Sequence, residues 1–321
     1  METIGVITSG GDAPGMNAAV RAVVRTALGE GVRVLGIRRA YQGIIDRDFE
    51  EMTRRTVAGL CCVGGTILKT ARCKEWREPE GRARGAERLH DMGVEGLIVI
   101  GGDGSFTGAH LLEKEHGIPC VGVPGTIDND LFGTDYSIGF QTAVNTAVEL
   151  VDRIRDTAES HERLFLVEVM GRHAGQIAAA VGLATGAEEI FVPEETNQVD
   201  RVRDVLKSAK KRGKRSLIVI VAEGDDAGGV FEIQRKLALE GIYDVRCTVL
   251  GHVQRGGAPC AYDRILASVL GRAATTALLA GESDIMVGLH HTDVVKVPLE
   301  EAISKRVDLD QRLLALARIL T

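Results

Sequence analysis

Short apolar runs bounded by glycine recur along the chain: Ile4–Thr8, Val32–Ile37, Gly96–Ile100, Pro119–Val123, Leu164–Val169, Leu217–Ala222, Arg246–Leu250 and Ile285–Leu289. Most are apolar throughout, which suits strands buried on both faces. Between most of them lie amphipathic stretches of helical length, Met16–Leu28 and Gln141–Thr157 among them. Such alternation predicts an α/β fold with largely parallel sheets covered on both faces. In sheets of this kind ligands bind beyond the carboxyl ends of the strands. The glycine- and charge-rich segments 9–17, 101–105, 124–130, 170–173, 223–225 and 251–257 each follow an apolar run, so all are placed as loops where ligands would bind.

With 321 residues, two domains are expected. The boundary is set near residue 139 and the late segment is returned to the first domain, giving 1–138 with 255–305 and 139–254 with 306–321. A net charge of −6 argues against a nucleic-acid partner, although local arginine clusters still admit small anions. The six cysteines have no CxxC spacing, which fits free thiols in a reducing cytoplasm. No apolar run reaches the ~20 residues of a membrane span, and Met1 leads almost directly into a strand rather than a signal peptide.

Thr8-Ser9-Gly10-Gly11-Asp12-Ala13-Pro14-Gly15-Met16-Asn17 joins a strand to a helix. Glycine amides and a helix N-terminus can cradle phosphate there, yet the segment is neither a P-loop nor a GxGxxG fingerprint. Ile100-Gly101-Gly102-Asp103-Gly104-Ser105 repeats the arrangement, with Asp103 suited either to Mg²⁺ or to capping the helix. Pro124-Gly125-Thr126-Ile127-Asp128-Asn129-Asp130 carries two carboxylates two residues apart, readable as a general base with a supporting acid or as Asx turns. Arg163, Arg172, Arg246, His252 and Arg255 form a cationic group in loops rich in glycine, fit for a phosphate dianion. Arg21, Arg25, Arg54, Arg155, Arg212 and Lys214 read, from spacing alone, as solvated basic surface.

Taken in order, TSGGDAPGMN, TARC (70–73), GGDGS, PGTIDND, SHER (160–163), EVMGRHAG (168–175), VAEG (221–224), VLGHVQRGG (249–257) and YDRILAS (262–268) closely resemble the bacterial 6-phosphofructokinase family, from residue 3 to about 315. The resemblance implies two three-layer α/β/α, Rossmann-like domains with a cleft between them, the first binding ATP and the second fructose 6-phosphate. It also implies a homotetramer and a Mg²⁺-dependent transfer from ATP to the sugar's 1-hydroxyl. On matching positions, Asp128 resembles the base, Asp103 the Mg²⁺ carboxylate and Asp130 its support. Gly11, Arg72, Cys73, Gly102, Asp103, Gly104 and Ser105 resemble the ATP site, with Tyr41 and Gly108 lining it. Arg172 would stabilise the moving phosphoryl group, with Thr126, Gly11 and Arg72 also in the catalytic set. Thr126, Ile127, Met170, Gly171, Glu223, His252, Val253, Gln254 and Arg255 resemble the sugar-phosphate site, while Arg163 and Arg246 would come from a neighbouring subunit.

The family also binds ADP or GDP, or phosphoenolpyruvate, at a second site. Arg21, Arg25, Arg54, Arg155, Gly186, Ala187, Glu188, Arg212 and Lys214 match its pattern. Gly59 stands where many relatives have an effector-contacting Asp, which leaves the activator preference open. Pyrophosphate-dependent relatives carry Asp at position 104 and Lys at 125. Glycine at both favours ATP here. The alternatives are a pyrophosphate-dependent enzyme, a catalytically silent nucleotide sensor, a kinase of the NAD or lipid type sharing GGDG, and a dehydrogenase, which would lack its GxGxxG.

Overall fold

The computed structural model describes residues 1–196, 198–224 and 228–320, so Asp225, which ends the 223–225 segment, lies outside the described residues. The strands in chain order are β1 (Thr3–Thr8), β2 (Arg33–Ile37), β3 (Phe49–Glu51), β4 (Gly96–Gly101), β5 (Cys120–Thr126), β6 (Ile138–Gly139), β7 (Arg163–Val169), β8 (Glu189–Phe191), β9 (Leu217–Ala222), β10 (Asp244–Val249), β11 (Ile285–His290) and β12 (Asp293–Pro298). Every apolar run named above is one of them, with its ends moved by a few residues at most. Contacts divide the chain into one unit of Met1–Ile127, Leu131–Gln141 and Arg255–Val307, and a second of Asp128–Asp130, Thr142–Gln254 and Asp308–Thr321. The carboxylate segment is thereby divided: Thr126 and Ile127 belong to the first unit, Asp128 and Asp130 to the second.

In the first unit the sheet runs β12-β11-β5-β4-β1-β2-β3, with β6 beside the end of β5. Its interior pairs are parallel, and both outermost pairs are antiparallel. β1 and β4 are buried along their whole length, as their unbroken apolar sequences require. Ile7, Leu35, Ile37, Leu97, Val99, Phe106 and Leu112 share one core on this sheet. Each such side chain contributes about 1.5–3 kcal/mol on burial. The second unit has a wholly parallel sheet, β10-β7-β9-β8. Leu164, Leu166, Phe191, Val219, Val221, Ile233 and Leu237 form its core.

Two expectations need correction. Pro124, Gly125 and Thr126 are not in a loop but complete β5. Pro124 pairs with Gly101, while Gly125 and Thr126 pair with Ile138 and Gly139 of β6. Asp103 does not cap its helix either: Gly102 is the N-cap, and Asp103 is the first residue of helix Asp103–His116. No helix among the described residues is long and apolar enough to cross a membrane.

Candidate active site

In the first unit the chemistry collects beyond β1, β4 and β5. The chain leaves β1 through Ser9, whose amide donates to Ile100 O (2.9 Å), tying the first loop to β4. Gly15 caps helix Met16–Gly29 with φ of 111°, a left-handed conformation that a side chain would strain. Gly11 supports a close approach, since a Cβ there would lie 2.2 Å from an Arg255 guanidinium nitrogen. Arg255 is 8% exposed and donates to Asp12 O at 3.0 Å, so it braces the loop from within its own unit.

Asp103 stands half-buried at the head of its helix, where the macrodipole favours anions. Its carboxylate has no hydrogen bond or ion pair to any described residue. No group of three or more His, Cys, Asp or Glu that could hold a metal exists among the described residues. One free carboxylate beside two glycine-rich loops fits the donor set Mg²⁺ takes with a nucleotide, whose phosphates and waters would complete its shell. Around Gly104 an added Cβ would meet nothing within 4 Å, whereas at Gly125 it would meet Ile100 at 3.0 Å and Met16 at 3.4 Å. Position 104 is thus open, but position 125 faces packed core, and its glycine has a packing reason of its own.

Tyr41 lies beneath this loop rather than on its surface. It stacks on Trp76 (centroids 4.4 Å apart) and donates its hydroxyl to Ser105 O at 2.5 Å. Burial pushes its phenol well above the usual value. Trp76 donates to Gly108 O at 3.3 Å, so the pair supports the first turns of the Asp103 helix. Arg72 is exposed, and Cys73 is half-buried with its thiol pushed up by burial.

In the second unit Asp128 is 2% exposed, and its Oδ2 lies 3.5 Å from Arg172 Nε, whose side chain is 56% exposed. Arg172 holds φ of 55° and donates its amide to Glu223 Oε1 at 2.8 Å. Gly171 before it has φ of 140°, and a Cβ there would lie 2.5 Å from Ala174 O. Met170 N donates to Gln254 Oε1 (3.3 Å), and Gln254 Nε2 donates to Gly251 O (3.1 Å). Met170, Gly171, Arg172, Glu223 and Gln254 therefore meet at the carboxyl ends of β7, β9 and β10. His252 and Val253 are exposed on the short turn Gly251–Arg255, while Ile127 is fully buried.

Arg163 and Arg246 are elsewhere. They flank Asp244, with Arg163 Nε donating at 2.9 Å and Arg246 at 3.0 and 3.3 Å. Arg246 first, and Arg163 with it, hold the Asp244 carboxyl below its usual range. Arg163 opens β7, and Val169 closes it, so at about 3.3 Å per residue it starts roughly 20 Å from the Met170 loop.

Of the basic surface set, the second unit brings several members together. Lys214 Nζ lies 2.6 Å from Glu188 Oε1, and Arg155 donates to Thr185 O at 2.5 Å, next to Gly186 and Ala187. Arg212 donates to Ser208 Oγ at 3.4 Å. In the first unit Arg21 and Arg25 are half-buried on one helix, and Arg54 is exposed. Sequence reasoning passed over Asn17, Thr70, Trp76 and Asp263, whose side chains brace these loops; Asn17, Thr70 and Asp263 stand inside motifs, and Trp76 does not.

Glycine loops, a carboxylate–arginine pair and clustered cations at the strand ends of two α/β units are parts that phosphoryl transfer, which works by positioning and charge neutralisation, can use. The phosphofructokinase family profile matches residues 3–278, and the chain belongs to that family. It is 56% identical over 320 residues, 100% of this chain and 99% of the relative, to "ATP-dependent 6-phosphofructokinase 1" of Thermus thermophilus. It is 50% identical over 321 residues, the whole of both chains, to "ATP-dependent 6-phosphofructokinase" of Thermotoga neapolitana. A solved phosphofructokinase from Saccharomyces cerevisiae superposes with a TM-score of 0.87 at 39% identity, covering 94% of this chain and 45% of that longer one.

Proposed function

We propose that this chain is an ATP-dependent 6-phosphofructokinase, moving the γ-phosphoryl group of ATP to the 1-hydroxyl of fructose 6-phosphate and releasing fructose 1,6-bisphosphate and ADP, the committed step of glycolysis. The observation that carries the reading is the buried Asp128 carboxylate 3.5 Å from the Arg172 guanidinium. Burial keeps water from competing for the carboxylate, and the guanidinium places a positive charge beside it, where a proton acceptor for the substrate hydroxyl is needed.

Asp128 takes the proton of the 1-hydroxyl as its oxygen bonds to the γ-phosphorus and the bond to the β-phosphate oxygen breaks. Arg172 offsets charge on the moving group, and Asp130 supports the carboxylate segment. In the first unit the amides of Gly11, Gly102 and Gly104 receive the nucleotide's phosphates, with Ser105 beside them, Arg72 bridging them and Cys73 alongside. Mg²⁺ held at Asp103 would neutralise the phosphate oxygens. Tyr41 and Gly108 keep that loop in place from below. Thr126, Met170, Gly171, Glu223, His252 and Arg255 serve the sugar phosphate.

Arg163 and Arg246 serve the same site of a neighbouring subunit in a homotetramer. Their place at the far end of β7, already gathered on one acid, supports this. Arg21, Arg25, Arg54, Arg155, Gly186, Ala187, Glu188, Arg212 and Lys214 form an allosteric site for a nucleoside diphosphate or phosphoenolpyruvate. The Lys214–Glu188 contact at 2.6 Å supports that role for the second unit's share. Free thiols suit a reaction in the cytoplasm.

A coupled assay of fructose 6-phosphate saturation, with ATP or pyrophosphate as donor and with ADP or phosphoenolpyruvate added, tests the reading. ATP-dependent turnover that shifts with effector is expected. Turnover with pyrophosphate alone would overturn the donor, and no turnover with either would leave the silent sensor standing.

A further inference from the structure

Residues 63–70 form a strap with little regular structure that leads to Arg72, and two side chains of the first glycine-rich motif and one of the strap's own fasten it. Asn17, in the first turn of helix Met16–Gly29, is 1% exposed. Its Nδ2 donates to Val63 O at 3.0 Å and Gly64 O at 3.1 Å, and its Oδ1 accepts from Ile67 N at 2.8 Å. Every hydrogen-bonding direction that matters here is used, on a segment about fifty residues away in sequence. Thr8 Oγ1 adds bonds to Thr66 Oγ1 (2.7 Å) and Lys69 O (3.0 Å). From the strap, Thr70 Oγ1 donates to Gly10 O at 2.7 Å, reaching the phosphate loop itself. Gly64 also presses on the turn after Arg255, where a Cβ would lie 2.1 Å from Gly257 O.

We propose that Asn17 is a positioning residue for the nucleotide: it clamps the strap to the phosphate loop and so sets where Arg72 stands. The proposal rests on the reading of Arg72 and Gly11 as ATP contacts. Arg72 is exposed and has no partner among the described residues, so only the strap's backbone fixes its place. An amide is the one side chain that both donates to the two carbonyls and accepts from Ile67. Solvation of the helix end needs none of this, and a buried side chain used only for packing would not carry three bonds to one distant segment.

The test uses the full chain as wild type, Asn17→Ala and Thr70→Val, each with and without Arg72→Ala. Asn17→Ala is expected to raise KM for MgATP about tenfold, the loss of one or more net hydrogen bonds, with KM for fructose 6-phosphate within about twofold. In the Arg72→Ala background the same change is expected to add less than about threefold, because the two act through one group. Unchanged KM for MgATP in folded Asn17→Ala, or effects that multiply in full, would overturn the proposal. Should Asn17→Ala not fold, Thr70→Val carries the test: a rise of about threefold supports it, and no rise overturns it. Amide exchange at Ile67 reads the clamp without turnover. Lost protection in Asn17→Ala, in a chain whose wild type turns over no ATP, supports the clamp and overturns the functional reading instead.

Discussion

The two sheets handle chemistry in different ways. In the first unit the glycine-loop candidates sit at the carboxyl ends of β1, β4 and β5, and buried side chains hold the loops: Arg255 on Asp12 O, Asn17 on the strap, Tyr41 under Ser105. In the second unit the candidates occupy both ends of one sheet. Arg172, Glu223 and Gln254 gather where β7, β9 and β10 finish, whereas Arg163 and Arg246 gather on Asp244 where β7 and β10 begin. A parallel sheet gives a ligand one end at a time. The first unit thus keeps its glycine-loop candidates at one end of its sheet, and the second has two groups that a single copy keeps about 20 Å apart. Under the proposed function, only the second unit's groups would need a neighbouring copy to come together.

The largest expected effect breaks the carboxyl-end cluster. Asp128→Ser should lower kcat by about 10²–10⁴ while nucleotide still binds, and stopped-flow or steady-state assays beside a binding titration check both halves. Next come Arg163→Ser and Arg246→Ser. Each should weaken fructose 6-phosphate by roughly 10- to 150-fold, with KM for ATP little changed, as expected for one charge-assisted contact of about 1.5–3 kcal/mol. Mixing Arg163→Ser chains with Asp128→Ser chains should restore part of the activity; no recovery would show that both ends act within one copy.

Gly104→Asp should raise KM for ATP about tenfold through charge alone, with melting temperature unchanged, because space is open around that position. A large drop in melting temperature would mean that packing, not charge, keeps glycine there. The smallest effect is at Asp244. Its carboxyl is held below the usual range, by Arg246 foremost, so its stabilisation is whole above the unfolded value of about 3.9 and fades as pH falls through the lower folded value. An Asp244→Asn variant should therefore show a flatter acid limb when melting temperature is followed below about pH 4.

Much of this was legible beforehand, because parallel strands with two covered faces announce themselves as unbroken apolar runs, as in Leu217–Ala222. The edges were not. β12 reads Asp-Val-Val-Lys-Val-Pro, largely exposed, and β3 reads Phe-Glu-Glu; both are strands only because an antiparallel neighbour holds them. Pro124 looked like the start of a loop. β5 continues through it because β6, a dozen residues later, pairs with Gly125 and Thr126, and no local pattern signals that. Arg163 and Arg246 stand out in the sequence as cations fit for phosphate, but only strand register puts them on one acid. The supporting roles of Asn17, Trp76 and Asp263, which accepts from Gly139 N at 2.9 Å, depend on long-range contacts and leave no periodic trace.

The backbone of Arg172 has one more consequence. At φ of 55° it sits where glycine would be easier, costing the fold on the order of 1–3 kcal/mol. A search for hardier variants of this protein that scored heat resistance alone would tend to discard the arginine, and under the proposed function the most durable chains it returned would have lost the cation beside Asp128.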